Sequence, residues 1–200
     1  MLNELVGAVA QVLLFSSIPL IVWALTARGS MPFHVWIGLK RPVCEDAART
    51  ALLAAAATAL YVALTALCMR ALPKGVTTAS AQFAGQGPGA LPAVFVYAFL
   101  RTALSEEILF RGFALKRVQA AAGFEIGNAA QALLFGLAHG IPLGLVTRSV
   151  WTAILLTLLP GLFGWFEGWL SERRCSGSII PCILLHGCVN MVTGVVSALS

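Results

Sequence analysis

LPAVFVYAFLRTALSEEILFRGFALK, residues 91–116, is the stretch that decides how this chain is read. It is long and apolar enough to form a helix crossing the roughly 30 Å hydrocarbon core of a bilayer. Yet it carries Arg101, Glu106, Glu107 and Arg111 within that span. Each charge near a bilayer centre costs about 2.5–3.5 kcal/mol on insertion scales, so four of them need partners or a wet cavity. Helix geometry divides their work. Glu107 and Arg111 are four residues apart, lie on one face and can pair. Glu106 points about 100° away and has no cation four residues further on. It is the carboxylate left over. A carboxylate without a cation in a low-dielectric site is suited to take a proton from water, so Glu106 is the candidate base, supported by Glu107 and Arg111. The bland alternative is a set of buried ion pairs that only fix helix packing, but intramembrane charge is functional by default.

The rest of the composition agrees with a membrane setting. The chain has 200 residues, 59% hydrophobic and 10% charged, with mean hydropathy +0.89. A soluble domain carries roughly a quarter charged residues, so most of this surface faces something other than water. Six spans are expected, near 5–27, 48–70, 91–115, 124–141, 148–170 and 179–199, in one all-α polytopic bundle. Residues 1–90 hold two N-terminal spans and residues 91–199 the core that carries the chemistry. The first span lacks a basic leader and is too long for a signal peptide, so it is read as an anchor. Residues 73–92, rich in Gly, Pro, Ala and Gln, are read as a flexible surface loop. No internal repeat is visible. The net charge of +5 comes from loop lysines and arginines without a basic stripe, so no nucleic-acid partner is expected.

Those basic residues also orient the chain. Arg28, Lys40, Arg41, Arg49, Lys116, Arg117, Arg173 and Arg174 follow spans one, three and five, against Arg70, Lys74 and Arg148 after spans two and four. Eight against three places the first set in the cytosol and both termini outside.

Two further spans bring polar groups: LLFGLAHG with His139, and LLHGCVNMV with His186 and Asn190, a pair spaced to share one helix face. Counted along the helices, Glu106, His139, His186 and Asn190 fall within about two turns in depth and can converge on one cavity. The five cysteines, Cys44, Cys68, Cys175, Cys182 and Cys188, include no CxxC pair and are read as small apolar packing residues.

These residues carry a family resemblance. Glu106-Glu107-Ile-Leu-Phe-Arg111, Phe135-Gly-Leu-Ala-His139 and His186-Gly-Cys-Val-Asn190 occur in order, each in its own span. Together they resemble the signatures of the CPBP family, the CAAX-protease and bacteriocin-processing intramembrane peptidases, over roughly residues 91–199. The resemblance implies an intramembrane endopeptidase with a cavity open toward the cytosol. By analogy Glu106 activates water, His139 positions it, His186 and Asn190 stabilise the oxyanion, and Glu107 with Arg111 hold the base in place. It further implies a membrane-anchored peptide or protein as substrate, cut near the cytosolic leaflet. No cofactor and no metal are expected, since there is no HExxH and the histidines sit on separate helices. A metal-dependent version, a non-catalytic self-immunity or binding protein, and a proton-coupled carrier are the other readings. High alanine content and short length suggest a bacterial member in the inner membrane. Glu167 departs from the family's usual apolar or small residue and is expected to reach the interface beside Arg173 and Arg174, with a contact to substrate or to Arg148 as the other possibility. Gly161, Gly164 and Gly168 near it suit close helix packing.

Overall fold

The computed structural model describes residues 1–72 and 77–200 and is helical throughout, with no strand among the described residues. Among the described residues seven helices follow in order: α1 Leu2–Thr26, the short α2 Phe33–Trp36, α3 Ala47–Ala71, α4 over 91–122, α5 Phe124–Thr147, α6 Val150–Arg174 and α7 Ile180–Leu199. Five of these, α1, α3, α5, α6 and α7, are long and apolar enough to cross a membrane. Leu25 is 81% exposed and Val146 80%, a surface that suits acyl chains and not water. The protein is an all-α polytopic membrane bundle. The sixth expected span is α4, whose four internal charges set it apart from the other five.

Local chemistry sets the helix ends. The Asp46 side chain accepts from the Arg49 N–H at 2.8 Å and starts α3; Ser149 does the same for Thr152 at 3.1 Å and starts α6. Gly123, at φ +85°, ends α4 and opens α5 where a side chain would strain the backbone. The expected boundaries hold to within a few residues, except that α4 runs to residue 122 and α5 to Thr147. The α5 helix runs through Pro142 and α6 through Pro160.

α4 threads the bundle, with α1, α5 and α7 packed around it. Two stretches of it, Val96–Leu104 and Ile108–Leu115, are π-helical and flank the turn at Ser105–Glu107. Such widened turns cluster at functional sites. α5 and α6 form the most intimate pair in the bundle. Lipid gives helices no hydrophobic reason to associate, so small residues that allow close approach take over that role. On α5 these are Gly136, Gly140 and Gly144, facing Ala153, Thr157 and Gly161 of α6. A Cβ at Gly140 would overlap the Thr157 side chain and the Ala153 carbonyl.

Between α3 and α4, described residues 77–90 form two short 3-10 turns, Ala79–Phe83 and Pro88–Ala90, where the sequence suggested no element. Phe83 is buried against Tyr97 and Ala198, and the Gly85 and Gly87 N–H groups donate to the carbonyls of Ser197 and Ala198 at 3.3 and 2.8 Å. The remainder of that loop, residues 73–76, lies outside the described residues.

The candidate active site

Charge balance at the centre of the bundle starts with Arg111, which is fully buried. Its Nη1 donates to Glu107 Oε1 at 2.9 Å, one helical turn back. Its Nη2 donates to Glu167 Oε2 on α6 at 2.5 Å. The guanidinium also lies 4.3 Å above the centre of the Phe135 ring. Room for it comes from Gly164, where an added Cβ would stand 2.8 Å from Arg111 Nη2. Glu167 is therefore not an interfacial acid beside Arg173 and Arg174, nor a partner of Arg148. It is fully buried as the second counter-ion of Arg111, because one carboxylate cannot satisfy a forked cation in a dry site.

Glu107 joins this network to the cavity. The same Oε1 that meets Arg111 lies 2.9 Å from His186 Nδ1. An ionised carboxylate only accepts, so the Nδ1 hydrogen points at Glu107 and Nε2 is left facing the cavity. On α5, His139 Nδ1 lies 2.8 Å from the Phe135 carbonyl, which again only accepts. His139 Nε2 is therefore turned outward, and in the neutral ring it is an acceptor.

Both free Nε2 atoms face Glu106. Its Oε2 lies 3.8 Å from His186 Nε2 and 3.9 Å from His139 Nε2, is buried, and has no direct hydrogen bond. These separations are too long for direct hydrogen bonds and suit a water shared between the groups. Across the cavity, Asn190 Nδ2 donates to Thr102 Oγ1 at 2.8 Å. Thr102 in turn donates to the carbonyls of Tyr97 and Ala98 at 3.0 and 2.9 Å, so the amide is held by a hydroxyl that is itself anchored.

Glu106, His139, His186 and Asn190 all line one cavity of about 500 Å³. Glu107 and Arg111 lie behind it and are not in its wall. Its remaining lining is mainly apolar, including Tyr61 stacked on Phe163 with ring centres 4.2 Å apart. Sequence reasoning missed two members of the site. Thr102 was visible in principle, four residues before Glu106 on the same stretch of helix. Glu167 was noticed and misplaced, since no spacing rule links it to a residue 56 positions earlier. Phe135, the first residue of the second signature, is a shared plate: its ring centre is 4.6 Å from that of His139 and 5.9 Å from that of His186.

Glu107, Glu167 and His186 bring one potential metal-ligating atom each to within 4.8 Å of one another. Arg111 already bridges the two carboxylates, so the cation of that cluster is a guanidinium. Of the cysteines, all are free; Cys175 and Cys182 are buried, Cys44 and Cys68 are half-buried, and Cys188 is exposed on the bundle surface instead of packed inside.

The cavity wall includes Met69 at the end of α3, Thr77 to Ser80, Leu143 near the end of α5 and Thr193 late in α7. These belong to the end of the bundle where spans two and four finish. The eight basic residues expected in the cytosol belong to the other end.

No curated protein and no solved structure gives a significant match. The family description that matches is "Type II CAAX prenyl endopeptidase Rce1-like", over residues 88–192, which takes in all three signatures and just over half of the chain. The glutamate pair, His139, His186 and Asn190 fall inside that stretch, and all but Glu107 line one cavity. The chain belongs to the Rce1-like type II CAAX endopeptidase family.

Proposed function

We propose that the protein is an intramembrane glutamic endopeptidase in which Glu106 activates the attacking water. The observation that carries this reading is the buried Oε2 of Glu106, without a direct partner and set opposite two imidazole nitrogens at 3.8 and 3.9 Å. A water at that point gives one hydrogen to Glu106 and the other to His139 Nε2, which leaves a lone pair for the peptide carbonyl carbon. The water oxygen bonds to that carbon as its proton passes to Glu106, and the carbonyl oxygen becomes an oxyanion. When the tetrahedral intermediate collapses, the C–N bond breaks and the proton on Glu106 moves to the leaving amine.

His186 and Asn190 are the donors for the oxyanion. With His186 as an imidazolium, Glu107, Glu167, Arg111 and His186 sum to zero charge, and its Nε2–H is turned into the cavity. Asn190 keeps one amide hydrogen free while the other is spent on Thr102. Preorganised donors of this kind contribute about 2.7–4 kcal/mol each to lowering the barrier. The substrate is a membrane-associated peptide or C-terminal segment, and the setting is a bacterial inner membrane.

The test is hydrolysis of fluorophore-labelled casein by purified protein in detergent. Glu106→Gln keeps the side-chain volume and removes the base, so it abolishes cleavage with membrane insertion intact. Glu107→Gln retains measurable activity at reduced stability. An active Glu106→Gln would sink the assignment of Glu106 as the base, and a wild type without hydrolysis would favour a binding protein.

A further inference from the structure

We infer that α1 is the backing of the reaction centre. Gln11 and Glu4, acting through Ser105 and Arg101, are positioning residues that fix the rotation of α4 and so the place of Glu106. That Glu106 is the base rests on the protease reading; that α1 sets its position does not.

Glu106 needs such support because nothing at its tip supplies it. Its buried Oε2 has no direct hydrogen bond, and the two imidazole nitrogens stand 3.8 and 3.9 Å away. The carboxylate is therefore placed by the backbone beneath it. That backbone is π-helical on both sides of Ser105–Glu107. A π-turn departs from the i to i−4 ladder that holds an ordinary helix in phase, so α4 takes its phase from its neighbours. A side-chain tip lies about 5–6 Å from a helix axis, so a rotation of about 20° moves it by about 2 Å.

The back of α4 is gripped by α1. Ser105, one residue before Glu106, is fully buried. Its Oγ donates to the Arg101 carbonyl at 2.5 Å, with the Thr102 carbonyl at 3.0 Å. A hydroxyl has one hydrogen and two lone pairs, and Gln11 Nε2 of α1 donates to that same oxygen at 3.2 Å. One turn earlier, Arg101 Nη1 donates to Glu4 Oε2 at 3.0 Å. Gly7, between Glu4 and Gln11, makes room for that arginine: an added Cβ would stand 3.3 Å from Arg101 Cζ.

The spacings agree on both helices. Glu4, Gly7 and Gln11 fall at i, i+3 and i+7, on one face of α1. Arg101, Ser105, Ile108 and Gly112 fall at i, i+4, i+7 and i+11 of α4. Ile108 packs in one apolar cluster with Val22 and Trp23 of α1, and Gly112 lies against the Ile37 carbonyl just past α2. None of these four lines the cavity, whereas Thr102 and Glu106 do. Glu4 is the one charged residue of α1. A polar side chain in a membrane span is costly without a partner, and both Glu4 and Gln11 find theirs on α4. Both also precede residues 88–192, the stretch that the family description covers.

The test separates positioning from packing. Gln11→Leu removes the donor at similar volume. In the casein assay its kcat is expected to fall roughly 10-fold at unchanged KM, since a misplacement of about 1 Å can cost about 10²-fold. Its unfolding temperature is expected to stay within about 3 °C of wild type, because one interhelical hydrogen bond in a bilayer adds little stability. Ser105→Ala should lose at least as much kcat, and adding Gln11→Leu to it should change nothing further, since both remove the same bond. A readout free of activity is Glu106→Cys in a background with the five native cysteines replaced. Its modification rate by methyl methanethiosulfonate is expected to change at least about threefold when Gln11→Leu is added.

Wild-type kcat in Gln11→Leu overturns the inference. So does a fall in kcat matched by a large loss of unfolding temperature, which marks packing alone. If the wild type leaves casein intact, the protease reading falls and the thiol rate decides the positioning by itself. A changed rate supports it, and an unchanged rate overturns it with or without hydrolysis. If the cysteine-free protein does not fold, kcat and unfolding temperature decide.

Discussion

Glu167 and Arg111, 56 positions apart on different helices, meet at 2.5 Å with both side chains fully buried. Taking one partner from a buried pair leaves an uncompensated charge, at a cost of about 3–5 kcal/mol. Glu167→Ala is therefore expected to lower the unfolding temperature in detergent sharply. Glu167→Gln, which keeps an acceptor for Arg111 Nη2, should fall between Ala and wild type. Thermal unfolding of the three proteins side by side checks this, and an Ala variant as stable as wild type would show that Glu107 alone satisfies the guanidinium.

Asn190, proposed above as an oxyanion donor, and Thr102, which holds its amide, can be tested apart. Asn190→Ala should lower kcat roughly 10²–10³-fold, the loss typical of removing one such donor. KM should change little if the bond tightens only in the transition state. Thr102→Val deletes the hydroxyl that orients the amide, so its kcat falls less, again at unchanged KM, and Thr102→Ser restores it. Wild-type turnover in Asn190→Ala would make that residue a packing group and leave His186 alone with the oxyanion.

Chelation addresses the base directly. Glu106, His139 and His186 could in donor type hold a divalent ion, while the reading above gives them a water. Incubation with EDTA or phenanthroline is expected to change casein hydrolysis by less than about twofold. Loss that zinc restores would place a metal between Glu106 and the two histidines.

Cys175 lies in the packed loop after α6, fully buried beside Cys44. Burial, followed by the neighbouring Cys44 thiol, pushes its pKa from 9.0 up to about 12. A rise of this sign lowers the thiolate fraction at pH 8, and the thiolate is the nucleophile. Iodoacetamide at pH 8 should leave Cys175 unmodified in the folded protein and modify it after denaturation, as read by peptide mass spectrometry.

Much of this site is legible in the sequence because it is local. The Glu107–Arg111 pair follows from a spacing of four, and the common depth of Glu106, His139, His186 and Asn190 follows from counting rises along helices. What spacing cannot carry is the contact between helices. Nothing in the residues around Glu167 says that Gly164, one turn earlier, clears a path for Arg111, so the acid looks interfacial. Thr102 reads as one more small residue of an apolar span until Asn190 is seen against it.

The Arg111–Glu167 pair also imposes a chronology on biogenesis. During synthesis α4 enters the membrane with Arg111 and Glu107 already within reach of each other, so the most costly part of that helix travels as a neutral couple. Glu167 emerges 56 residues later, about 3–11 s behind at ordinary elongation rates. It arrives as a lone anion whose counter-ion is already waiting in the bilayer, so partitioning of α6 depends on a helix made earlier. A nascent chain stalled between the two would hold Arg111 with one of its two carboxylates in place and one branch of its fork unpaired.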